Sequence, residues 1–226
     1  MLVLAGGSGS RFGAERNKVY LPLAGRTVLS WSVNTLVRMP EVEVTVLVIR
    51  PVDRELVEQL LSVEVIGAGV EVVAGGATRQ ESELCGLRRL AARIHAGLID
   101  TVLIHDGARP LVSAELAGAV IATARDYGGA VPGLVRSDLA VAAPDGDLLV
   151  GGAPDGLVAV QTPQGFAAEP LLAAYERAAV DGYAGTDTAS CVQHYTDVPV
   201  HWVPGDERNF KITYTHDLAV AEAVLS

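Results

Sequence analysis

Leu2-Val3-Leu4-Ala5-Gly6-Gly7-Ser8-Gly9-Ser10-Arg11-Phe12-Gly13 is a short apolar strand that runs without a spacer into a glycine-rich loop. Glycines at this point let the backbone come close to a ligand and expose consecutive N–H groups, an anion-binding arrangement. Arg11 adds a fixed positive fork. The loop is not G-x-x-x-x-G-K-[ST], and Gly7, Gly9 and Gly13 are not spaced as G-x-G-x-x-G, so neither the Walker A loop nor the dinucleotide fingerprint applies. A tight strand-to-helix turn without a ligand is the structural alternative. Lys18 follows seven residues after Arg11, and two cations bracketing such a loop suit a triphosphate.

Outward from this loop, short β-branched runs alternate with amphipathic stretches. Strands are predicted at 43–49, 70–74, 101–105, 129–135 and 198–203, besides the first at 2–5. Helices are predicted at 27–38, 53–61, 80–96, 113–127, 169–180, 187–194 and 216–224. Near-continuous apolar strands separated by helices imply a three-layer α/β fold with a mostly parallel sheet. The rhythm breaks at 137–160, where Pro144-Asp145-Gly146-Asp147 and Gly151-Gly152-Ala153-Pro154-Asp155-Gly156 cut short apolar pieces, the pattern of a projecting β-arm. The expected organisation is one domain over 1–226 with this arm as an oligomer contact; a surface β-insertion without a partner is the alternative.

Lys and Arg number 17 against 27 Asp and Glu, a net charge of −10. That excess disfavours nucleic acid and anionic membrane surfaces as partners. No apolar run reaches the ~18 residues of a membrane span, and the first residues lack the basic region of a secretory signal. Cys85 and Cys191 lie far apart without metal-ligand spacing, and are expected to be reduced thiols of a cytoplasmic protein. Asp106 directly follows an apolar strand, so it is placed at a carboxyl end, where open α/β sheets bind ligands; an Asx turn or helix cap is the alternative. His105 is expected to be a packed strand residue. Arg109 suits either a binding role or a buried tie between loops.

Five segments in order, G-G-x-G-x-R with Lys18 and Leu21-Pro22-Leu23-Ala24-Gly25-Arg26, Gly75-Gly76-Ala77-Thr78-Arg79-Gln80-Glu81-Ser82, His105-Asp106-Gly107-Ala108-Arg109-Pro110, Gln161-Thr162-Pro163-Gln164-Gly165-Phe166 and Asn209-Phe210-Lys211-Ile212-Thr213, resemble the 2-C-methyl-D-erythritol 4-phosphate cytidylyltransferases. The related ribitol-5-phosphate cytidylyltransferases share much of the series. The resemblance implies a Rossmann-like nucleotidyltransferase in which a polyol phosphate attacks the α-phosphorus of CTP, with Mg²⁺ on the phosphates. It implies that Arg11, Lys18 and Lys211 are catalytic cations. Ala5, Gly6, Gly7, Ser8, Gly9, Gly76, Ser82, Asp106 and Gly107 would bind the nucleotide, with Arg79 supporting the cytosine loop. Arg109, Asp138, Thr162, Thr186 and Asp187 would border the acceptor, and Asp106 would be the protein's contact to the metal. It also implies a homodimer in which arm residues reach across to the acceptor's phosphate.

The chain departs from the family on that arm. The usual D-T-I-K stretch is here Ser137-Asp138-Leu139-Ala140, and Ala153-Pro154-Asp155 stands where an Arg is common. Ala77 replaces an acidic residue in the cytosine loop. Two alternatives therefore accompany methylerythritol phosphate as acceptor: transfer to another polyol or sugar phosphate, and a catalytically silent nucleotide-binding homologue.

Overall fold

The computed structural model describes residues 1–7, 17–65, 69–144, 146–152 and 154–226. In chain order the strands are β1 (Leu2–Leu4), β2 (Pro22–Leu23), β3 (Arg26–Thr27), β4 (Thr45–Ile49), β5 (Val70–Ala74), β6 (Thr101–Asp106), β7 (Gly129–Val135), β8 (Ala140–Ala142), β9 (Leu149–Gly152), β10 (Val158–Val160), β11 (Gln164–Ala167) and β12 (Val200–Pro204). The helices are α1 (Val28–Val37), α2 (Arg54–Glu64), α3 (Arg79–His95), α4 (Ala114–Tyr127), α5 (Ala168–Asp181), α6 (Thr188–Tyr195) and α7 (Thr215–Leu225).

The main sheet runs β12-β7-β11-β6-β1-β4-β5, with β10 pairing to the far end of β7. All its pairings are parallel except those of β10 and β11. Side chains alternate across it, as the period of a strand requires. Val3, Leu47, Ile49 and Leu103 pack with α1, α2 and α4, whereas Leu2, Val46, Val48, Val102 and Ile104 pack with α3, α5 and α6. Both faces are covered, which is why β4 is buried at all five positions and reads as a continuous apolar run. Among the described residues, no helix is long and apolar enough to cross a membrane.

The excursion differs from the expected 137–160. Within this segment, among the described residues, β8 and β9 form a separate antiparallel pair, exposed along both strands. Val158–Val160 return to the main sheet beside β7, because the chain re-enters antiparallel and continues into β11. The β2–β3 hairpin was not foreseen; its strands are two residues each, too short for a periodic signal.

Candidate active site

The carboxyl ends of β1, β4, β5 and β6 open into a cavity of about 530 Å³. Leu4, Ala5, Gly6 and Gly7 form one wall, Gly76 to Arg79 and Ser82 another, and Asn17, Lys18, Val19, Arg50, Asp106, Ala108 and Lys211 complete it. This is where the topology of an open α/β sheet puts ligands. Of the residues anticipated for nucleotide and catalysis, Ala5, Gly6, Gly7, Lys18, Gly76, Ser82, Asp106 and Lys211 all line this cavity. Ser8, Gly9 and Arg11 lie outside the described residues.

Local bonding holds each wall. The Ala5 N–H donates to Val48 O at 2.8 Å, and Asn17 Nδ2 donates to Ala5 O at 2.6 Å. Asn17 also accepts from the Val19 N–H, capping the turn that carries Lys18. On the opposite wall Thr78 and Glu81 form a capping box at the start of α3. Ser82 Oγ accepts from the Gly76 N–H at 3.2 Å. A methyl group on Gly76 would lie 2.3 Å from Glu81 Cβ, so the chain passes this helix turn only as glycine. The same holds at Gly107, where a methyl would lie 2.7 Å from Leu29 Cδ1 and 3.0 Å from Leu4 O.

Asp106 is the electrostatic centre. Lys211 Nζ donates to its Oδ2 at 2.7 Å, Arg79 Nη1 lies 3.0 Å from Oδ1, and Arg109 Nε lies 3.9 Å from Oδ2. Burial raises the pKa of this carboxyl, but Arg79, Lys211 and Arg109 outweigh it and hold the group well below the usual carboxylate range. The cluster has three cations against two buried carboxylates, Asp106 and Glu83. A protein of net charge −10 thus presents a locally positive pocket.

A frame behind the cavity fixes Lys211. The Ile212 N–H donates to Ala108 O at 2.8 Å, Arg109 Nη1 to Asn209 O at 2.7 Å, Asn209 Nδ2 to Thr162 O at 2.8 Å and Gln161 Nε2 to Asp206 O at 2.8 Å. The three later motifs therefore meet. Arg109 is the buried tie between loops, and neither it nor Thr162 nor Gly107 lines the cavity.

His105 is buried in this frame, as a packed strand residue. Its Nε2 lies 3.2 Å from Arg109 O, which can only accept, so Nε2 carries the proton. Nδ1 then accepts from the Thr162 hydroxyl at 3.2 Å, while Thr162 Oγ1 accepts from the Asp106 N–H at 3.0 Å. Burial pulls the His105 pKa down to about 4. Between pH 6.5 and 4 the unfolded chain takes up a proton that the folded chain refuses, so stability drops as pH falls. Urea unfolding is expected to show wild type losing about 2 kcal/mol more than H105Q between pH 7 and pH 5. Equal losses would refute this assignment.

The anticipated acceptor residues are placed differently. Asp187 caps α6 through the Ser190 N–H at 2.9 Å and accepts from Gln164 Nε2 at 3.0 Å. Thr186 is exposed beside it. Asp138 forms a bidentate pair with Arg136 at 2.7 and 2.6 Å, so its charge is compensated within the arm. None of these lines the cavity.

Asn17, Thr78 and Arg50 are cavity residues that the sequence reading did not single out. Arg50 follows β4 directly and is held by Asp53 at 2.7 and 2.8 Å. Its position after an apolar strand, like that of Asp106, was the available signal.

Among the described residues, no group of three His, Cys, Asp or Glu is arranged to hold a metal ion. Asp106 is the one cavity carboxylate in that lining, and its two oxygens already face cations. A Mg²⁺ brought on phosphates would take most of its ligands from phosphate and water oxygens, and Asp106 is the carboxylate that this lining could add.

The chain is matched over its whole length by a family model and by curated relatives. A family model described as 2-C-methyl-D-erythritol 4-phosphate cytidylyltransferase matches residues 1–226. A protein of that name from Prochlorococcus marinus (strain MIT 9313) is 39% identical over 232 residues, covering 100% of this chain and 97% of the relative. The solved 4-diphosphocytidyl-2C-methyl-D-erythritol synthase from Anaerococcus prevotii DSM 20548 superposes with a TM-score of 0.84 at 28% identity, covering 99% of this chain and 94% of that one. The 2-C-methyl-D-erythritol 4-phosphate cytidylyltransferase structure from Thermus thermophilus gives 0.74 at 32% identity, covering 99% and 97%. With the cavity, its cations and the motif frame behind it, these matches establish that the chain belongs to the 2-C-methyl-D-erythritol 4-phosphate cytidylyltransferase family.

Proposed function

We propose that this protein joins CTP and 2-C-methyl-D-erythritol 4-phosphate, giving CDP-methylerythritol and pyrophosphate. The observation that carries this is the Lys211–Asp106–Arg79 cluster set against Gly6 and Gly7 in one cavity. An oxygen of the acceptor phosphate forms the new bond to the α-phosphorus, and the bond from that phosphorus to the bridging oxygen of pyrophosphate breaks. The attacking oxygen is already anionic, so no general base is required. The chain's contribution is fixed positive charge where negative charge builds, from Lys18 and Lys211 in the cavity and from Arg11 by the family motif. Gly76, Ser82 and the backbone from Ala5 to Gly7, with Ser8 and Gly9, receive the nucleotide. Asp106 is the side chain that would touch a Mg²⁺ arriving with CTP, and such an ion would offset phosphate charge.

The acceptor is assigned to the side of Thr186 and Asp187, with Arg109 and Thr162 fixing the frame behind it and the arm of a second copy completing it. Exposed apolar side chains on and beside the arm support that dimer, among them Val135, Leu148, Leu149 and Val150, each more than half exposed. Arg136 supplies compensation for Asp138, which removes the repulsion that its charge would otherwise present. Cys85 and Cys191 are free cysteines, which suits a reducing cytoplasm.

The test is pyrophosphate release with CTP and Mg²⁺, comparing methylerythritol phosphate with ribitol, glycerol and sugar phosphates. Preference for methylerythritol phosphate is expected. Preference for another acceptor would assign the arm to a different substrate. Sedimentation at micromolar concentration is expected to show a dimer, and a monomer would remove the arm's assigned role.

A further inference from the structure

Glu83 is a buried carboxylate, 1% exposed, that nothing in the transfer chemistry requires. Its Oε1 accepts from Arg79 Nε at 2.9 Å and from the Thr188 hydroxyl at 3.1 Å, and its Oε2 accepts from the Tyr175 hydroxyl. A buried ion pair is weak as a source of stability, since apolar groups of the same volume often serve as well or better. The reason for burying this carboxylate therefore lies in what it holds.

What it holds is Arg79. The guanidinium offers its Nε to Glu83 and its Nη1 to Asp106, and its Nη2 is buried without a hydrogen-bond partner among the described residues. An arginine facing a lone carboxylate prefers to grip it with two parallel bonds. Held at Nε by Glu83, Arg79 reaches Asp106 through Nη1, at Oδ1, while Oδ2 faces Lys211 at 2.7 Å. Glu83 also ties this group to α6. Thr188 is the first residue of that helix and follows Thr186 and Asp187. Next to Arg79 on α3, Gln80 Nε2 donates to Tyr183 O at 2.6 Å and Gln80 Oε1 accepts from the Gly185 N–H at 2.8 Å. The first turn of α3 thus grips the segment leading to Thr186 while it aims Arg79 at Asp106.

We infer that Glu83 is a positioning residue: through Arg79 it apportions the cations around Asp106 and keeps Lys211 at its station in the cavity, a role that rests on the transfer reaction proposed above.

The experiment compares wild type with E83M, an apolar replacement of similar length, and E83Q. Each is characterised by thermal unfolding, by kcat and KM for CTP and methylerythritol phosphate, and by crystal structure. E83M is expected to stay folded at the assay temperature but to melt below wild type, since it strips the Tyr175 and Thr188 hydroxyls of their acceptor, with kcat lowered at least tenfold and KM for CTP changed less than threefold. In its crystal structure Arg79 is expected to make two bonds to Asp106, with Lys211 displaced from Oδ2. A kcat within twofold of wild type, or unchanged Arg79 and Lys211 contacts, would overturn the inference. If E83M does not fold, E83Q and the double variant Y175F/T188V are read by the same criteria, because they loosen Glu83 without opening a cavity. Inactivity of the wild type toward methylerythritol phosphate would count against the assigned acceptor, and the crystal comparison would then still decide the role of Glu83.

Discussion

Replacing Lys211 by alanine lowers kcat by 10²–10³, about 3–4 kcal/mol of transition-state stabilisation, while the protein stays folded. The ammonium sits in the cavity 2.7 Å from Asp106 Oδ2. Its loop is fastened by bonds that do not involve this side chain: Ile212 to Ala108, Arg109 to Asn209, Asn209 to Thr162 and Gln161 to Asp206. Truncation therefore removes one charge and leaves the backbone in place. Asp106 keeps Arg79 at 3.0 Å and Arg109 at 3.9 Å, so it is not left as an unpaired buried charge. During transfer, negative charge grows on the oxygens of the α-phosphorus as the acceptor oxygen enters and pyrophosphate departs. A cation fixed beside that centre acts more strongly there than on the ground state, so the loss falls on kcat more than on KM. Pyrophosphate release together with thermal unfolding checks this. A variant within tenfold of wild type, with the same melting temperature, would remove Lys211 from the chemistry.

The parts of this site that were legible in the sequence are those where a chemical residue punctuates a strand. Thr101–Asp106 is buried along all but its first residue, so an acid ending such a run stands out. The same logic exposed Gly6 and Gly7 after β1 and Gly76 after β5. Lys18 and Lys211 carry no such local signal, and their weight came from the ordered motif series around them. Other features depend on contacts between distant segments. Glu83 looks like one more charge in Gln80-Glu81-Ser82-Glu83, and only Tyr175 and Thr188, 92 and 105 residues away, make it a buried hub. Gly165 belongs to an antiparallel strand wedged into a parallel sheet, where a methyl would lie 2.9 Å from Val120 Cγ1. Nothing in the short runs around Pro163 announces that strand, because two or three residues on either side of a turn give no period. The arm's Asp138 was readable as a departure from the family, but its neutralisation by Arg136 is a matter of side-chain geometry. The roles of Arg109 and Thr162 divide similarly: their motif is recognisable, whereas their bonding into a frame behind Lys211 appears only when the three loops are brought together.

Asp106→Asn has the second large effect, and it falls on stability and turnover together. Asn keeps the shape of the side chain but loses the charge that Arg79, Lys211 and Arg109 face, and one of its two terminal atoms becomes an N–H donor aimed at another donor. Removing one partner from a buried ionic group costs about 3–5 kcal/mol, so the urea unfolding free energy is expected to fall by about that amount. The wild-type carboxyl is held below the usual carboxylate range, so its contribution is present above the unfolded pKa and is lost only as pH drops through the lower folded value. The difference between wild type and D106N is therefore expected to be constant from pH 6 to pH 8. The freed cations still demand anions, and polyphosphates supply them. Millimolar pyrophosphate is expected to raise the melting temperature of D106N more than that of wild type, since a ligand stabilises in proportion to its preference for the folded state. Turnover nonetheless falls at least a hundredfold, because Lys211 and Arg79 without Asp106 between them are no longer fixed where the α-phosphate reacts, and fixed position is what makes a cation catalytic. Stability equal to wild type, or no greater response to pyrophosphate, would show that Asp106 does not balance these cations.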